Sequence, residues 1–273
     1  MEKPICLTAK DAYDLMTLAR SNNVFLMEGM WTRCFPAMKH IEQLIQSKEI
    51  GRIISIQGDF GWCTKDCDYP QDRIWNRESG GMILDIGMYM THLGQVAFGS
   101  SKEPERIQAM GVTKHGVDHT VLGNIMYHND NQNDTQNNNQ KGFLQFYVTG
   151  DANTEERVVI QGTEGRIIID PPAHVPSRIS ISKDLGRGEN DVQVLNFDLP
   201  DDSYTTWNYP GSIGFTYQIQ DVNDALHKGY KECPSYTHQD SLQVCTILDE
   251  ILHQVHGSHN EDVEEQVAKE SLN

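Results

Sequence analysis

Seven short runs of β-forming residues, near 106–113, 119–128, 143–149, 157–162, 166–170, 178–182 and 192–197, follow one another with little but turns between them. Strands in series on short connections pair antiparallel, because a parallel return needs a crossover of a dozen or more residues. The middle of the chain therefore predicts a large, predominantly antiparallel sheet, and its apolar face has to be covered by helices. One more alternating run, 52–62, precedes the series.

The helices are readable on either side. Thr8 followed by Asp11 is a helix start, and Ala12, Leu15, Met16 and Ala19 recur at helical spacing, which predicts a helix over 9–21. Pro36 opens a second, with Met38, Ile41, Leu44 and Ile45 as its apolar stripe before Gly51. A third is expected over 79–98, a fourth over 213–229 and a fifth over 238–256, with a polar, frayed end from His256. Between the first two lies 24–30, a nearly continuous apolar run that reads as a strand buried on both faces of a parallel sheet. Such a strand needs neighbours for its backbone groups, and none precedes it in the sequence, so a segment upstream is expected to supply them. Residues 128–141, HNDNQNDTQNNNQK, are too polar to order themselves and read as a disordered insertion between two strands.

Charge narrows the function classes. The 273 residues carry a formal charge of -17, which disfavours a phosphate backbone or an anionic membrane as partner. No apolar run approaches the roughly 20 residues that cross a bilayer, and the start lacks the basic and apolar regions of a secretory signal, so a cytoplasmic protein is expected. Six scattered cysteines suit a reducing compartment. Cys63 and Cys67 are a close pair, but no second pair matches them, so no metal site is expected.

Three motif groups carry the chemistry: Glu2-Lys3-Pro4, then Glu28-Gly29-Met30-Trp31-Thr32-Arg33-Cys34-Phe35-Pro36, then Gly80-Gly81-Met82-Ile83-Leu84-Asp85-Ile86-Gly87-Met88-Tyr89. Farther on come Gly162-Thr163-Glu164-Gly165 before an Ile-rich strand, Gly214-Phe215 with Tyr217, and Cys233-Pro234. In this order and spacing the set resembles the Gfo/Idh/MocA oxidoreductase family, in the branch of dimeric dihydrodiol and D-xylose dehydrogenases, over nearly the whole chain.

The resemblance implies α/β followed by α+β: residues 1–35 as the end of a Rossmann domain, 36–257 as the substrate and dimerisation domain with a predominantly antiparallel sheet and flanking helices, and 258–273 as a tail. It implies NADP as cofactor, with NAD possible, a vicinal diol or sugar hydroxyl as substrate, and a homodimer through the open face of the sheet. Lys3, Tyr89 and Asp85 are the catalytic candidates. Tyr89 would take the substrate proton, Lys3 would lower its pKa, and Asp85, one helical turn before it, would orient the pair. Glu2, Lys3, Pro4, Trp31, Arg33 and Arg73 are the cofactor candidates, with Arg77 as an alternative to Arg73, and Pro4 is expected to follow a cis bond. Trp31, Tyr89 and Phe215 are the substrate candidates. Each has a plainer reading: Tyr89, Trp31 and Phe215 as core filler, Arg33 in an ion pair, and His92 as a buried helix residue rather than the base.

The sequence departs from the family in containing no G-x-G-x-x-G turn between a strand and a helix, the element whose amides hold a pyrophosphate. Gly186-Arg187-Gly188 lies between strands and is no substitute. Three readings follow: an incomplete chain of an active dehydrogenase, a product whose partner chain supplies the nucleotide half, or a non-catalytic protein that keeps the sheet for dimerisation or ligand binding.

Overall fold

In the computed structural model the described residues are 1–128, 140–186, 189–201 and 209–270, and they form five α-helices and one eight-stranded sheet. The strands are β1 (Ile53–Gly61), β2 (Pro104–Lys114), β3 (Val117–His128), β4 (Lys141–Thr149), β5 (Val158–Gly162), β6 (Gly165–Ile169), β7 (Arg178–Gly186) and β8 (Glu189–Asn196). Their order is β2-β3-β4-β1-β5-β6-β7-β8. β1 lies parallel to β4, with Ile56 opposite Leu144, and the remaining neighbours are antiparallel. The one parallel pair arises because the chain leaves β1 through a helix, returns at the far edge as β2, and meanders back through β3 and β4. This is the predominantly antiparallel sheet that the run of strands predicts.

Alternation decides which face is covered. Val121, Ile125, Leu144, Val148, Ile56, Ile160, Ile167 and Ile179 are completely buried on one face. Burial of such side chains is worth about 1.5–3 kcal/mol each, so the register is firmly set. Over this face lie α3 (Met88–Phe98) and α5 (His238–Glu270). Met110, Val112, Leu122 and Phe143 project from the other face into solvent, beside a ladder in which Gln57 donates to Gln145 and Gln145 donates to Asn124.

The chain begins with α1 (Ala9–Ser21), where the Thr8 hydroxyl accepts from the Asp11 amide at 3.1 Å; Ala12, Met16 and Ala19 are buried with Cys245 of α5 in a small second core. α2 (Pro36–Gln46) starts on its proline and buries Met38 and Ile41, and α4 (Phe215–His227) follows a short turn at Ser212–Gly214.

Three expectations are corrected. Residues 24–30 carry no regular secondary structure and are not a strand. Among the described residues no strand lies alongside, and their backbone bonds elsewhere: the Leu26 amide donates to Lys231 O, and its carbonyl faces His238 Nε2 at 3.0 Å. The helix expected from Ser79 starts later, because Gly81 has φ +93° and Gly80 packs against the Ile74 carbonyl. The final helix runs to Glu270 instead of ending near His256. Residues 257–270 hold no proline and several good helix formers, so only the modest cost of Gly257 opposes continuation. The Asn/Gln tract falls almost entirely at 129–139, outside the described residues; its flanks, His128 and Lys141, are paired across β3 and β4.

Candidate active site

The double glycine is what sets the site. A Cβ on Gly81 would come within 2.1 Å of an Asp118 carboxylate oxygen, and that carboxylate accepts from the Ile83 amide at 2.7 Å. The bare backbone lets Asp118 cap the wide first turn, Ile83–Gly87, which leads into α3. This start carries Asp85 and Tyr89, and both face a cavity of about 760 Å³.

The cavity lies at the C-terminal end of β1, against Phe60 and Trp62, and is closed by Glu2 and Lys3 of the N-terminal arm. The arm is tethered by the Ile5 amide, which donates to Glu28 at 3.0 Å. Burial raises the Glu28 carboxyl from an ordinary 4.5 to about 7.

Asp85 is the electrostatic centre. Lys3 Nζ lies 3.5 Å from its carboxylate and also donates to its main-chain carbonyl; Arg73 donates at 2.9 Å and the Trp62 indole at 3.1 Å. The Lys3–Pro4 bond is cis. Burial pulls the Lys3 pKa down, Asp85 opposes that pull, and Arg73 adds to it.

Tyr89 is nine-tenths buried, and the Trp31 indole donates to its hydroxyl at 2.9 Å. Trp31 is itself fixed by stacking on Phe215, with ring centroids 4.3 Å apart. Burial pushes the Tyr89 hydroxyl well above the ordinary tyrosine range, and the Trp31 bond only partly offsets this. Lys3 sits over the Tyr89 ring, 5.2 Å from its centroid, and bonds to Asp85 instead of to the hydroxyl. The expected lowering of the Tyr89 pKa by Lys3 is therefore not found: desolvation sets the direction of the shift.

Lys3, Asp85, Tyr89, Trp31, Glu2 and Arg73 thus come together around one cavity. Three candidates do not line it. Arg33 is 8% exposed and turned away, bonded to Glu42 at 2.8 Å and stacked over Tyr236. Phe215 stands behind Trp31, and Pro4 serves only as part of the arm. Tyr217 packs on Phe35, and His92 is buried with its pKa held far down by desolvation.

Besides Ile86, which lies inside the double-glycine motif, five lining residues have no place among the sequence candidates: Phe60, Trp62, Glu156, His174 and Tyr209. The first two could have been found from their position at the end of a strand, where ligands of open sheets gather. The others sit on irregular segments without a motif. A second constellation, Thr64, His119 and Asp151, has the order of a nucleophile, base and acid, at 3.0 and 3.3 Å. Its Thr64 hydroxyl is buried and donates to Gly150 O, so it pins a loop. Among the described residues no cluster of three or more His, Cys, Asp or Glu could hold a metal ion, and no helix is long and apolar enough to cross a membrane.

The chain is similar to known proteins. Residues 38–168 match the family model for the GFO/IDH/MocA C-terminal domain. The chain is 31% identical over 258 residues to trans-1,2-dihydrobenzene-1,2-diol dehydrogenase of Xenopus laevis, covering 93% of this chain and 70% of that protein. The same enzyme of Sus scrofa is 29% identical over 251 residues, which are 92% of this chain and 68% of that one. Among solved structures, levoglucosan dehydrogenase in complex with NADH and L-sorbose superposes with a TM-score of 0.72 at 18% identity, over 93% of this chain and 69% of that one. Aldose-aldose oxidoreductase from Caulobacter crescentus, complexed with glycerol, superposes at 0.71 with 17% identity, over 94% and 69%. The fold agrees with these solved structures, and the chain belongs to the Gfo/Idh/MocA oxidoreductase family, in the branch of trans-1,2-dihydrobenzene-1,2-diol dehydrogenase.

Proposed function

We propose that the cavity is where a vicinal diol or a sugar hydroxyl exchanges hydride with NADP, with NAD as the less favoured cofactor. The observation that carries this is the convergence of Lys3, Asp85 and Tyr89 on one aromatic-walled cavity. The relatives named for diol and sugar dehydrogenation support the substrate class. The donor set fits the reactive end of a nicotinamide cofactor: Trp31 and Trp62 offer flat apolar walls, and Glu2, Lys3 and Arg73 supply polar contacts at the rim. When bound, the nicotinamide accepts or gives the hydride.

The chain's own residues handle the proton. Tyr89, with its hydroxyl held protonated by burial and oriented by Trp31, donates its proton to the carbonyl oxygen in the reducing direction and takes it back in the oxidising one. Lys3 stands over the Tyr89 ring, and Asp85 holds it there. Arg73 binds Asp85 from the open side. Because a raised tyrosine must be deprotonated to act as base, alcohol oxidation should quicken toward alkaline pH and carbonyl reduction should not.

The open sheet face, with Met110, Leu122 and Phe143 exposed around the Gln57–Gln145–Asn124 ladder, is the surface for a homodimer. Six free cysteines suit the cytoplasm. The test of the reading is NADP reduction followed by absorbance with trans-1,2-diols and with D-xylose. Turnover that rises with pH supports it; a chain that reduces no NADP with either substrate class contradicts it.

A further inference from the structure

On the cavity wall beside Tyr89 stands a histidine that the proton transfer above does not use. His174 Nδ1 lies 2.6 Å from the Glu156 carboxylate, and both side chains are largely buried. The imidazole stacks on Phe60 with centroids 4.8 Å apart, and its centroid is 5.6 Å from that of Tyr89.

The pair is held from three directions. Glu156 has φ +58°, a conformation that is strained for a non-glycine residue and persists only where neighbours enforce it. Asp59 enforces it by accepting from the Glu156 amide at 2.8 Å. The Ala173 amide donates to Glu156 O at 2.9 Å, and Thr32 donates to His174 O at 2.7 Å.

A carboxylate can only accept, so Nδ1 carries the hydrogen of this bond. In the neutral ring that leaves Nε2 as an acceptor, and among the described residues it has no hydrogen-bond partner. Tyr89 and His174 thus present two oriented polar atoms on an otherwise aromatic wall. Two vicinal hydroxyl oxygens are roughly 3 Å apart, so a diol bound here can offer one hydroxyl to each of two neighbouring side chains whose rings lie 5.6 Å apart.

We propose that His174, oriented by Glu156, accepts a hydrogen bond from the hydroxyl next to the one that reacts at Tyr89, and so selects diols and sugars over simple alcohols. The inference rests on the alcohol-oxidising reading of the cavity and adds its specificity-determining residue. No bond is broken at His174; its contribution is to binding and orientation.

Trp31 and Trp62 line the cavity, so their fluorescence reports binding to the full chain. The probes are trans-cyclohexane-1,2-diol and cyclohexanol, which differ by the second hydroxyl. The wild-type chain should bind the diol about tenfold more tightly, the size of one buried hydrogen bond. His174→Asn keeps an amide nitrogen near the Nδ1 position and loses the Nε2 acceptor, so the ratio of diol to cyclohexanol affinity should fall to about one. His174→Gln keeps an amide atom near Nε2 and should retain most of the preference. A diol preference that survives His174→Asn, or is lost in a folded His174→Gln, overturns the proposal. Equal binding of the two probes by the wild type overturns it and leaves the alcohol site standing; binding of neither overturns the alcohol site as well.

Discussion

The two ends of the cavity are built by different physics. At one end Lys3, Arg73 and Trp62 converge on Asp85, and the bonds are ionic, partly wet and adjustable: the Arg73 side chain is 71% exposed. At the other end Trp31, Tyr89, Phe60 and His174 lock one another by ring packing and buried hydrogen bonds. The difference teaches where each effect belongs. Exposed ion pairs are worth under about 1 kcal/mol and tolerate exchange, whereas a buried aromatic wall fixes an oriented hydroxyl and resists change. The charged end tunes a pKa, and the aromatic end holds the geometry.

That contrast is breakable, starting with the largest effect. Tyr89→Phe keeps the aromatic packing and removes the proton carrier, so the turnover number should fall about 10²–10⁴-fold while substrate affinity changes little; a fall of only a few-fold removes Tyr89 from the mechanism. The arm that carries Lys3 is the next place to press. The folded chain holds the Glu28 proton more tightly than the unfolded chain, about 7 against 4.5, so its contribution to stability is lost as pH rises across that window and stays lost above it. Such a shift amounts to about 3 kcal/mol. Glu28→Gln keeps the acceptor for Ile5, and chemical denaturation at pH 5 and pH 8 should show the wild type losing stability relative to the variant.

At the charged end, Asp85→Asn removes the group that opposes the downward shift of Lys3, so the Lys3 pKa should fall further, as measured by NMR of the lysine. Loss of the charged acceptor should cost about 2 kcal/mol of stability. An unchanged Lys3 titration sinks the assignment of Asp85 as its partner. The smallest effect is expected from Arg73→Ala. Its exposed pair with Asp85 should matter by under about 1 kcal/mol in a thermal melt, and a larger loss would mean that the charged end is as rigid as the aromatic one.

The same division explains what the sequence discloses. The sheet is legible because alternation in runs such as 119–128 and 143–149 has one explanation, a strand with one wet face. The charged end is legible because Lys3 and Asp85 stand inside short local motifs. Residues 24–30 mislead because an apolar extended run has the composition of a buried strand whether or not a neighbour exists to pair with it. Arg33 misleads because its place beside Trp31 in the sequence says nothing of direction: the short 3₁₀ turn at Trp31–Cys34 sends Trp31 to the cavity and Arg33 to Glu42. His174 and Glu156 are silent in the sequence because eighteen positions separate them and only the packing of their two segments makes them a pair.

The central claim is that the oxygen oriented by Tyr89 belongs to a carbon that gives up hydride. Its most direct measurement is label transfer: a trans-1,2-diol deuterated at the carbinol carbon, incubated with the chain and NADP, and the recovered cofactor analysed by NMR. Deuterium is expected at C4 of the reduced nicotinamide with the wild type, and slower transfer to the same position with Tyr89→Phe. Reduced cofactor without deuterium, or no reduction at all, contradicts it.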